Sequence, residues 1–300
     1  MHFLPSALLV VAAVVMGSSA QAQSLFSSST LPGLSHAHPV PVLQGEPVLP
    51  PLRYRVMVLV GVGCSGMAGM AASYFAGLPH ARLLVLHKPG VDLHAGWEPR
   101  VCPTGFGPRD QLARWQESAR AALRADAVAH AGAAPVPQLL VGIGEGVDML
   151  PALATEVPHL AGLVVLGAAG LDPVETGLLQ AQRSGQLAAW QSLDRARRSD
   201  AADSTEVQGH RLRYWRDLWR WRTAQPLINA PWPLLQVWGD ADARVPAAAY
   251  LRFAEQAAGR AAPLCTRRVP GGDPGVQQVW AWLEKWAQAP EQGLCEATLP

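Results

Sequence analysis

The sequence predicts an α/β protein with a mostly parallel central sheet and helices on both faces. Short apolar runs alternate along the chain with longer segments of helical pattern, as expected where helices connect neighbouring parallel strands. The 300 residues, 49% of them hydrophobic, are enough for one good-sized globular domain around such a sheet. The net charge of +1 argues against nucleic acid as a partner, because proteins that bind it carry strongly basic surfaces.

The N-terminal residues have the pattern of a secretory signal peptide. An apolar run over residues 3–16 is followed by small and polar residues, and Ala20 and Ala22 fit the small-residue positions of a signal-peptidase site. No Lys or Arg precedes the run. The alternative is an uncleaved membrane anchor, for which the run is short. We therefore predict a signal peptide at residues 1–22, cleavage after Ala22, and a periplasmic or secreted protein.

Residues 23–51 are rich in Ser, Pro and His and show no periodicity, which predicts an extended leader. His36 and His38 lie within this segment. Two histidines alone make a weak metal site, and we expect a solvated linker with no metal and no cofactor. The folded domain is assigned to residues 52–290, and residues 291–300 are assigned to a C-terminal tail.

The four cysteines predict disulfide bonds if the protein is exported. An even number of cysteines in an oxidising compartment is typical of a disulfide framework, and four cysteines allow three pairings. We favour Cys64 with Cys102 and Cys265 with Cys295, because each pair closes a modest loop. The alternative for Cys64 is a free, nucleophilic thiol.

Apolar runs predict the strands, and the helical patterns between them predict the helices. The predicted strands are residues 54–60, 83–86, 138–141, 160–166, 234–238 and 264–269. The predicted helices are residues 67–76, 109–127, 147–156, 247–258 and 276–287. Residues 175–229 are polar, helical in pattern and rich in Arg and Trp, which predicts a helical insertion between two strands.

A glycine-rich loop, residues 61–66, follows the first predicted strand. Backbone N–H groups of such a loop can bind an anion. The loop lacks the Lys and Ser/Thr of a P-loop. Gly61, Gly63 and Gly66 match the spacing of a dinucleotide-binding loop only weakly, without the later acidic residue in a clean βαβ unit.

The stretch G-I-G-E-G, residues 142–146, lies where the third predicted strand turns into a helix. Such a turn needs small residues on both sides, and its middle residue is held in a strained conformation with its side chain aimed out of the fold. This is the frame of a nucleophile elbow, G-x-S-x-G. Gly144 stands where the serine would be.

The chain resembles the α/β-hydrolase family over about residues 54–286. The elbow carries the resemblance together with a turn, G-D-A-D-A-R-V-P at residues 239–246, that is similar to the family's G-x-x-D-x-x-V-P. The resemblance implies an oxyanion loop at residues 61–66 and a cap at residues 175–229. It also implies Asp242 as the acid of a Ser–Asp–His triad. Asp240 is the competitor, and a carboxylate that only caps this turn is the alternative.

Two members of that triad are absent from the sequence. Gly144 has no nucleophilic side chain, and Pro274 occupies the position where the resemblance places the histidine. The last histidine of the chain is His210, so none follows Asp242.

The resemblance further implies that the oxyanion donors survive, because they are backbone N–H groups. They would come from Glu145 and from Gly63 or Cys64. The Glu145 side chain is a candidate replacement nucleophile or base, with a structural carboxylate as the alternative.

We therefore expect a catalytically degenerate serine hydrolase that at most binds a small acyl or apolar ligand. A second hypothesis is a working esterase or peptidase with a rearranged site, using Ser65 or Glu145 with His87, His94 or His210.

A third hypothesis is a peripheral envelope-binding protein. Trp215, Trp219 and Trp221 lie among arginines in a segment of helical pattern, and such a helix can bind an anionic membrane surface. The alternative is a cap helix that packs its aromatic face over the pocket.

Overall fold

The structure is a computed structural model that describes residues 25–97, 99, 101–271 and 276–297. An eight-stranded sheet with the order β1-β2-β4-β3-β5-β6-β9-β10 forms its centre. Its strands are β1 (Phe26–Ser35), β2 (His38–Gly45), β3 (Tyr54–Gly61), β4 (Ala81–His87), β5 (Gln138–Gly144), β6 (Leu160–Leu166), β9 (Leu234–Gly239) and β10 (Leu264–Val269). A separate two-stranded sheet consists of β7 (Glu206–Val207) and β8 (His210–Arg211).

Eight of the helices in the described part of the chain lie between strands, and two follow the last strand. They are α1 (Ala71–Tyr74), α2 (Leu112–Ala129), α3 (Leu150–Leu153), α4 (Pro173–Arg183), α5 (Leu187–Arg198), α6 (Leu212–Leu218), α7 (Ala224–Asn229), α8 (Ala247–Gln256), α9 (Val276–Trp286) and α10 (Leu294–Ala297). Helices α4 to α7, together with β7 and β8, form the segment between β6 and β9 that the sequence predicts as a helical insertion. We call this segment the cap.

The strands from β4 to β10 in the sheet order pair in parallel, and this part of the sheet is buried on both faces. Every residue of β3 is buried, which explains why its sequence is an apolar run without alternation. One face packs against helices that include α2 and α8, through Trp115 and Phe253. The other face packs against α1 and α9, through Ala71 and Trp280. The predicted fold class, a mostly parallel sheet with helices on both faces, is confirmed.

The prediction of an extended leader over residues 23–51 is wrong for most of its length. Strands β1 and β2 form an antiparallel hairpin, and β2 continues the sheet by pairing antiparallel with β4. Val40 and Val42 are fully buried in the core. Pro39 and Pro41, on either side of Val40, mask the alternation of apolar residues by which a strand is otherwise identified.

The helix predicted at residues 67–76 is also shorter in the structure, where α1 covers only Ala71–Tyr74. The residues before it bond to another loop, because the Ala68 N–H donates to the Leu93 carbonyl at 2.9 Å. Residues 145–156 are likewise divided into a 3₁₀ helix (Glu145–Met149), α3 and a second 3₁₀ turn (Ala154–Glu156).

Both predicted disulfides are confirmed. Cys64 is bonded to Cys102, and Cys265 is bonded to Cys295, with Cα–Cα distances of 5.6 and 5.2 Å. The second bond ties α10 to β10, so the predicted C-terminal tail contains a helix whose Leu294 is buried. Two disulfides are compatible with an extracellular protein. No helix among the described residues combines the length and apolar character needed to cross a membrane.

Candidate functional site

Gly144 lies at the sharp turn from β5 into the 3₁₀ helix that follows. Its φ of 58° and ψ of −128° fall in a region that glycine occupies without strain and that other residues rarely adopt. The two flanking glycines permit close backbone approach. A Cβ on Gly142 would lie 2.6 Å from the Val147 backbone, and one on Gly146 would lie 2.0 Å from the Leu59 carbonyl oxygen. The local geometry is therefore that of a tight strand–turn–helix elbow.

A cavity of about 770 Å³ opens above this turn, and we call it the Gly144 pocket. Its walls come from the carboxyl ends of β3, β5 and β6 and from the turn after β9. This end of an open parallel sheet is where ligands bind in α/β proteins. The predicted residues Gly63, Gly144, Glu145 and Asp242 all line it. Its apolar walls are Val62, Met70, Tyr74, Trp97, Ile143, Leu166 and Val276.

The Asp242 carboxylate is held by its own loop. Its Oδ1 accepts hydrogen bonds from the backbone N–H groups of Arg244 and Val245, at 2.7 and 3.0 Å. Its Oδ2 accepts a hydrogen bond from the Tyr250 hydroxyl at 2.9 Å. The competing residue, Asp240, instead accepts from the Gly271 N–H at 2.7 Å, which lowers the pKa of its carboxyl. Of the two, only Asp242 faces the pocket.

Glu145 belongs to a charged network beneath the pocket. The Lys88 ammonium donates to the Glu145 carboxylate and also to Asp110, the latter at 2.7 Å. The Tyr214 hydroxyl donates to the other oxygen of Glu145. His210 lies beside Asp110, at 3.2 Å, and stacks on the Tyr214 ring. The side chain that follows Gly144 is therefore bound to the core and to the cap.

The charges of this network stabilise one another against the cost of burial. Burial opposes the charged form of Lys88, but Glu145 and Asp110 outweigh it and raise the pKa of Lys88 above its usual value. Burial would raise the pKa of Asp110, and Lys88 holds it below its usual value. Burial, reinforced by Glu145, raises the pKa of Tyr214 and keeps its hydroxyl protonated as a donor. A network of this kind orients Glu145 toward its partners.

Asp148 lies one turn further along the same segment. The Thr223 hydroxyl donates to Asp148 Oδ1 at 2.6 Å. Burial, to which the nearby Glu145 and Asp172 add repulsion, raises the pKa of Asp148 to about 8. This carboxyl is therefore largely uncharged at neutral pH.

The remaining sequence candidates do not assemble into a catalytic pair at the pocket. Ser65 is buried and donates its hydroxyl to the Trp97 carbonyl. Cys64 is in a disulfide, away from the pocket lining. His87 is fully buried, which lowers its pKa to about 4, and His94 is exposed. None of these four residues lines the Gly144 pocket.

Pro274, the position at which the sequence lacks the expected histidine, lies outside the described residues, as do residues 1–22. The absence of a histidine after His210 is a property of the sequence itself. No cluster of three or more potential metal ligands occurs within the described ranges.

Sequence reasoning missed Lys88, Asp110, Tyr214 and Asp148. The available signal was the position of Lys88, which directly follows an apolar strand at the edge where ligands bind. Its partner Asp110 and the cap residue Tyr214 are distant in sequence and belong to segments whose packing the sequence alone does not define.

The tryptophan-rich segment of the cap does not form the single helix that its pattern suggests, because α6 ends at Leu218. The Trp215 indole donates to the Val207 carbonyl at 2.8 Å, and the Trp221 indole donates to the Asp148 carbonyl at 2.9 Å. Trp219 stacks on Trp190. The indoles thus make contacts within the protein, as the cap interpretation expects. Contact with a membrane stays a prediction.

Solved structures with similar architecture include an esterase and a peptidase. Est1E from Butyrivibrio proteoclasticus superposes with a TM-score of 0.57 at 15% identity, covering 88% of this chain and 100% of that chain. The esterase domain of a Rhodothermus marinus protein superposes with a TM-score of 0.53 at 16% identity, covering 90% of this chain and 99% of that chain. The acylaminoacyl peptidase from Pyrococcus horikoshii superposes with a TM-score of 0.55 at 13% identity, covering 91% of this chain and 42% of that chain.

No protein-family model matches the sequence, and no curated protein sequence matches it either. At identities of 11 to 16% among such neighbours, the likeness is one of fold. The strand order, the elbow at Gly144 and the pocket at the carboxyl ends of the strands agree with that likeness. The chain has the α/β-hydrolase fold.

Proposed function

We propose that this chain is an exported, catalytically degenerate relative of the serine hydrolases that binds a small acyl or apolar ligand in the Gly144 pocket without turning it over. The observation that carries the proposal is Gly144 itself. It occupies the elbow between β5 and the following helix, with φ of 58° and ψ of −128°, where a hydrolase of this fold carries its nucleophile. Glycine supplies no atom that could attack an ester.

The rest of the pocket supports the same conclusion. The described residues that line it include no Ser, Thr, Cys or His. Asp242, at the position of the triad acid, accepts hydrogen bonds from two backbone N–H groups and from the Tyr250 hydroxyl. Without a nucleophile and a general base, binding and backbone donors alone accelerate acyl transfer only about a thousandfold over water, far below normal turnover.

The pocket walls support an acyl or apolar ligand. Both carboxylates at the pocket are engaged inside the protein. Glu145 accepts from Lys88 and Tyr214, and Asp242 accepts from its own loop and from the Tyr250 hydroxyl on α8. The remaining walls are mostly aliphatic and aromatic, so that burial of apolar surface supplies most of the affinity. Est1E, a neighbour by fold, has been solved with ferulic acid bound, which also favours an acyl compound.

Blocking the pocket tests this proposal. In Val62→Trp a large side chain replaces a half-buried wall residue, and in the control, Val128→Trp, the same change is made on helix α2 where the side chain is 78% exposed. The probes are the methyl esters of butyric, octanoic and cinnamic acids, titrated by calorimetry. We expect the wild type and Val128→Trp to bind at least one ester with similar affinity, and Val62→Trp to bind it at least about tenfold more weakly.

Two results would overturn the proposal. One is equal affinity in Val62→Trp and the wild type, which would place the ligand elsewhere. The other is hydrolysis of the ester during the titration at a rate that Val62→Trp abolishes, which would mean that the pocket is catalytic.

Export rests on the signal-peptide pattern of residues 1–22 and is supported by the two disulfides. Expression of the full chain in a bacterial host with a periplasm tests it. We expect a periplasmic protein whose N-terminal residue, read by mass spectrometry, is Gln23. An intact N-terminus in the cytoplasmic fraction would contradict export.

A further inference from the structure

A second pocket, of about 430 Å³, lies between the core and the cap and shares no lining residue with the Gly144 pocket. Its walls come from α2, from the segment that contains α3, and from the cap residues around α7. Two half-buried indoles, Trp221 and Trp232, line it together with three prolines. We call it the Trp232 pocket. The rings supply flat apolar surface of the kind that stacks against the face of a ligand.

The polar groups of the Trp232 pocket are available for hydrogen bonding. Asp148 Oδ1 accepts from Thr223, and Oδ2 has no hydrogen-bond partner among the described residues. Asn229 uses its Oδ1 to accept from Gln225, which leaves its amide N–H groups. The Gln116 amide, which both donates and accepts, makes no hydrogen bond within the described part of the chain. These three planar side-chain groups therefore line one pocket and keep hydrogen-bond donors and acceptors that no described residue uses.

The pocket carries little net charge. Its one acid, Asp148, is largely protonated at neutral pH because burial raises its pKa to about 8. Its one cation, Arg222, is exposed and lies 3.4 Å from the Asp172 carboxylate. A cationic or anionic ligand would therefore find no strong opposite charge. Such walls favour an uncharged ligand with several hydroxyl groups and one apolar face.

A sugar ring has both properties, because its hydroxyls lie around the rim and its C–H groups form a flat face. We propose that the Trp232 pocket is a carbohydrate-binding site, which takes a neutral sugar with its C–H face against an indole and its hydroxyls on Gln116, Asn229 and Asp148. Ordinary sugar units fit its volume. The proposal is independent of the ligand of the Gly144 pocket.

Titration with neutral oligosaccharides tests the proposal. The probes are xylohexaose, cellohexaose and maltohexaose, and the readouts are intrinsic tryptophan fluorescence and calorimetry on the full folded chain. We expect at least one probe to bind to the wild type. Trp232→Ala should weaken that binding at least tenfold, and Gln116→Ala, on the surface of α2, should weaken it about three- to tenfold, the loss of one hydrogen bond. In the matched control, Trp282→Ala, a half-buried indole of α9 is removed from the other face of the sheet, and binding should not change.

Asp148→Asn separates a hydrogen-bonding role from a charged one. If the acid acts as an uncharged donor and acceptor, the amide should retain affinity within about twofold at pH 6. Absence of binding by all three sugars would overturn the proposal, as would binding that Trp232→Ala and Gln116→Ala leave unchanged. A proline-rich peptide that binds at these residues while the sugars do not would also overturn it, by assigning the pocket to a peptide.

Discussion

The three glycines of the elbow differ in why they are glycine. Gly142 and Gly146 are required by space, because a Cβ on either would collide with neighbouring backbone, at 2.6 and 2.0 Å. Gly144 faces the pocket, where the nearest atom to an added Cβ is a methyl carbon of Val62, at 3.1 Å. That side chain can give way by a few tenths of an ångström. The flanking glycines are thus a steric necessity, whereas a side chain at Gly144 has room and meets only the backbone strain of a positive φ.

Under the proposed function, this difference is how the fold would lose its reaction and keep its pocket. The close approach of β3 to the turn after β5 depends on the flanking glycines and on main-chain geometry. Neither depends on a nucleophile. The side chain next to Gly144, Glu145, is bound to Lys88 and Tyr214 and so contributes to the junction of core and cap. Stability and catalysis are therefore separable at this turn, and variants of its residues should show the separation.

The largest effect is expected at the flanking glycines. Gly146→Ala places a methyl group against the Leu59 carbonyl oxygen, and either β3 or the turn must move. We expect a loss of about 3 kcal/mol or more in the free energy of unfolding, or failure to accumulate folded protein. The control, Gly69→Ala, adds the same methyl at an exposed position with nothing within 4 Å, and should fold normally. Equal urea midpoints for the two variants would contradict this account of the frame.

The second largest loss of stability is expected when the buried ion network of Lys88 is broken. Lys88→Met leaves the Asp110 and Glu145 carboxylates beneath the pocket without their cation, which we expect to cost about 3–5 kcal/mol of unfolding free energy. The control, Arg82→Met, breaks the more exposed pair with Glu46 and should cost less than about 1 kcal/mol. Similar costs in urea denaturation for the two variants would mean that the network does not hold the cap.

A smaller effect is expected at Gly144. Gly144→Ser puts a side chain at positive φ, which we expect to cost about 1–3 kcal/mol, less than Gly146→Ala in the same denaturation series. The variant should fold. It should release p-nitrophenol from p-nitrophenyl butyrate no faster than buffer alone, because the new serine has no histidine beside it to act as a general base. A Gly144→Ser protein less stable than Gly146→Ala would reverse the comparison on which this account rests.

The effect of Asp148→Asn depends on pH, and at pH 5 it is the smallest of the four. A carboxyl whose pKa is raised to about 8 by folding binds a proton in the folded state but not in the unfolded state between about pH 4 and pH 8. Wild-type stability therefore falls over this window relative to the Asn variant, which does not titrate. We expect the difference to grow by about 1–1.4 kcal/mol for each pH unit between pH 5 and pH 7, and to level off above about pH 8. A difference in unfolding free energy that is constant with pH would show that Asp148 is ionised throughout.

The sequence predicts the centre of the fold well, because buried parallel strands are apolar runs. The runs at residues 160–166 and 264–269 coincide with β6 and β10. The hairpin of β1 and β2 is not predicted because prolines and serines obscure Val40 and Val42, and because the pairing that joins β2 to the sheet is made with the distant strand β4. Residue spacing also identified both disulfides.

The candidate site was predictable only where it depends on local sequence. The elbow and the acid turn are short motifs, and the structure brings Gly144 and Asp242 to one pocket. The network of Lys88, Asp110 and Tyr214 depends on how the cap packs on the core, which no local pattern encodes. Its members are separated by up to 126 residues, the difference between positions 88 and 214.

The most direct test of the central claim is the steady-state hydrolysis of p-nitrophenyl butyrate by the purified wild-type protein and by Val62→Trp. If Gly144 marks a lost catalytic centre, both proteins should release p-nitrophenol at the rate of buffer alone. Turnover by the wild type that Val62→Trp abolishes would contradict the account, because it would place a working nucleophile in the Gly144 pocket.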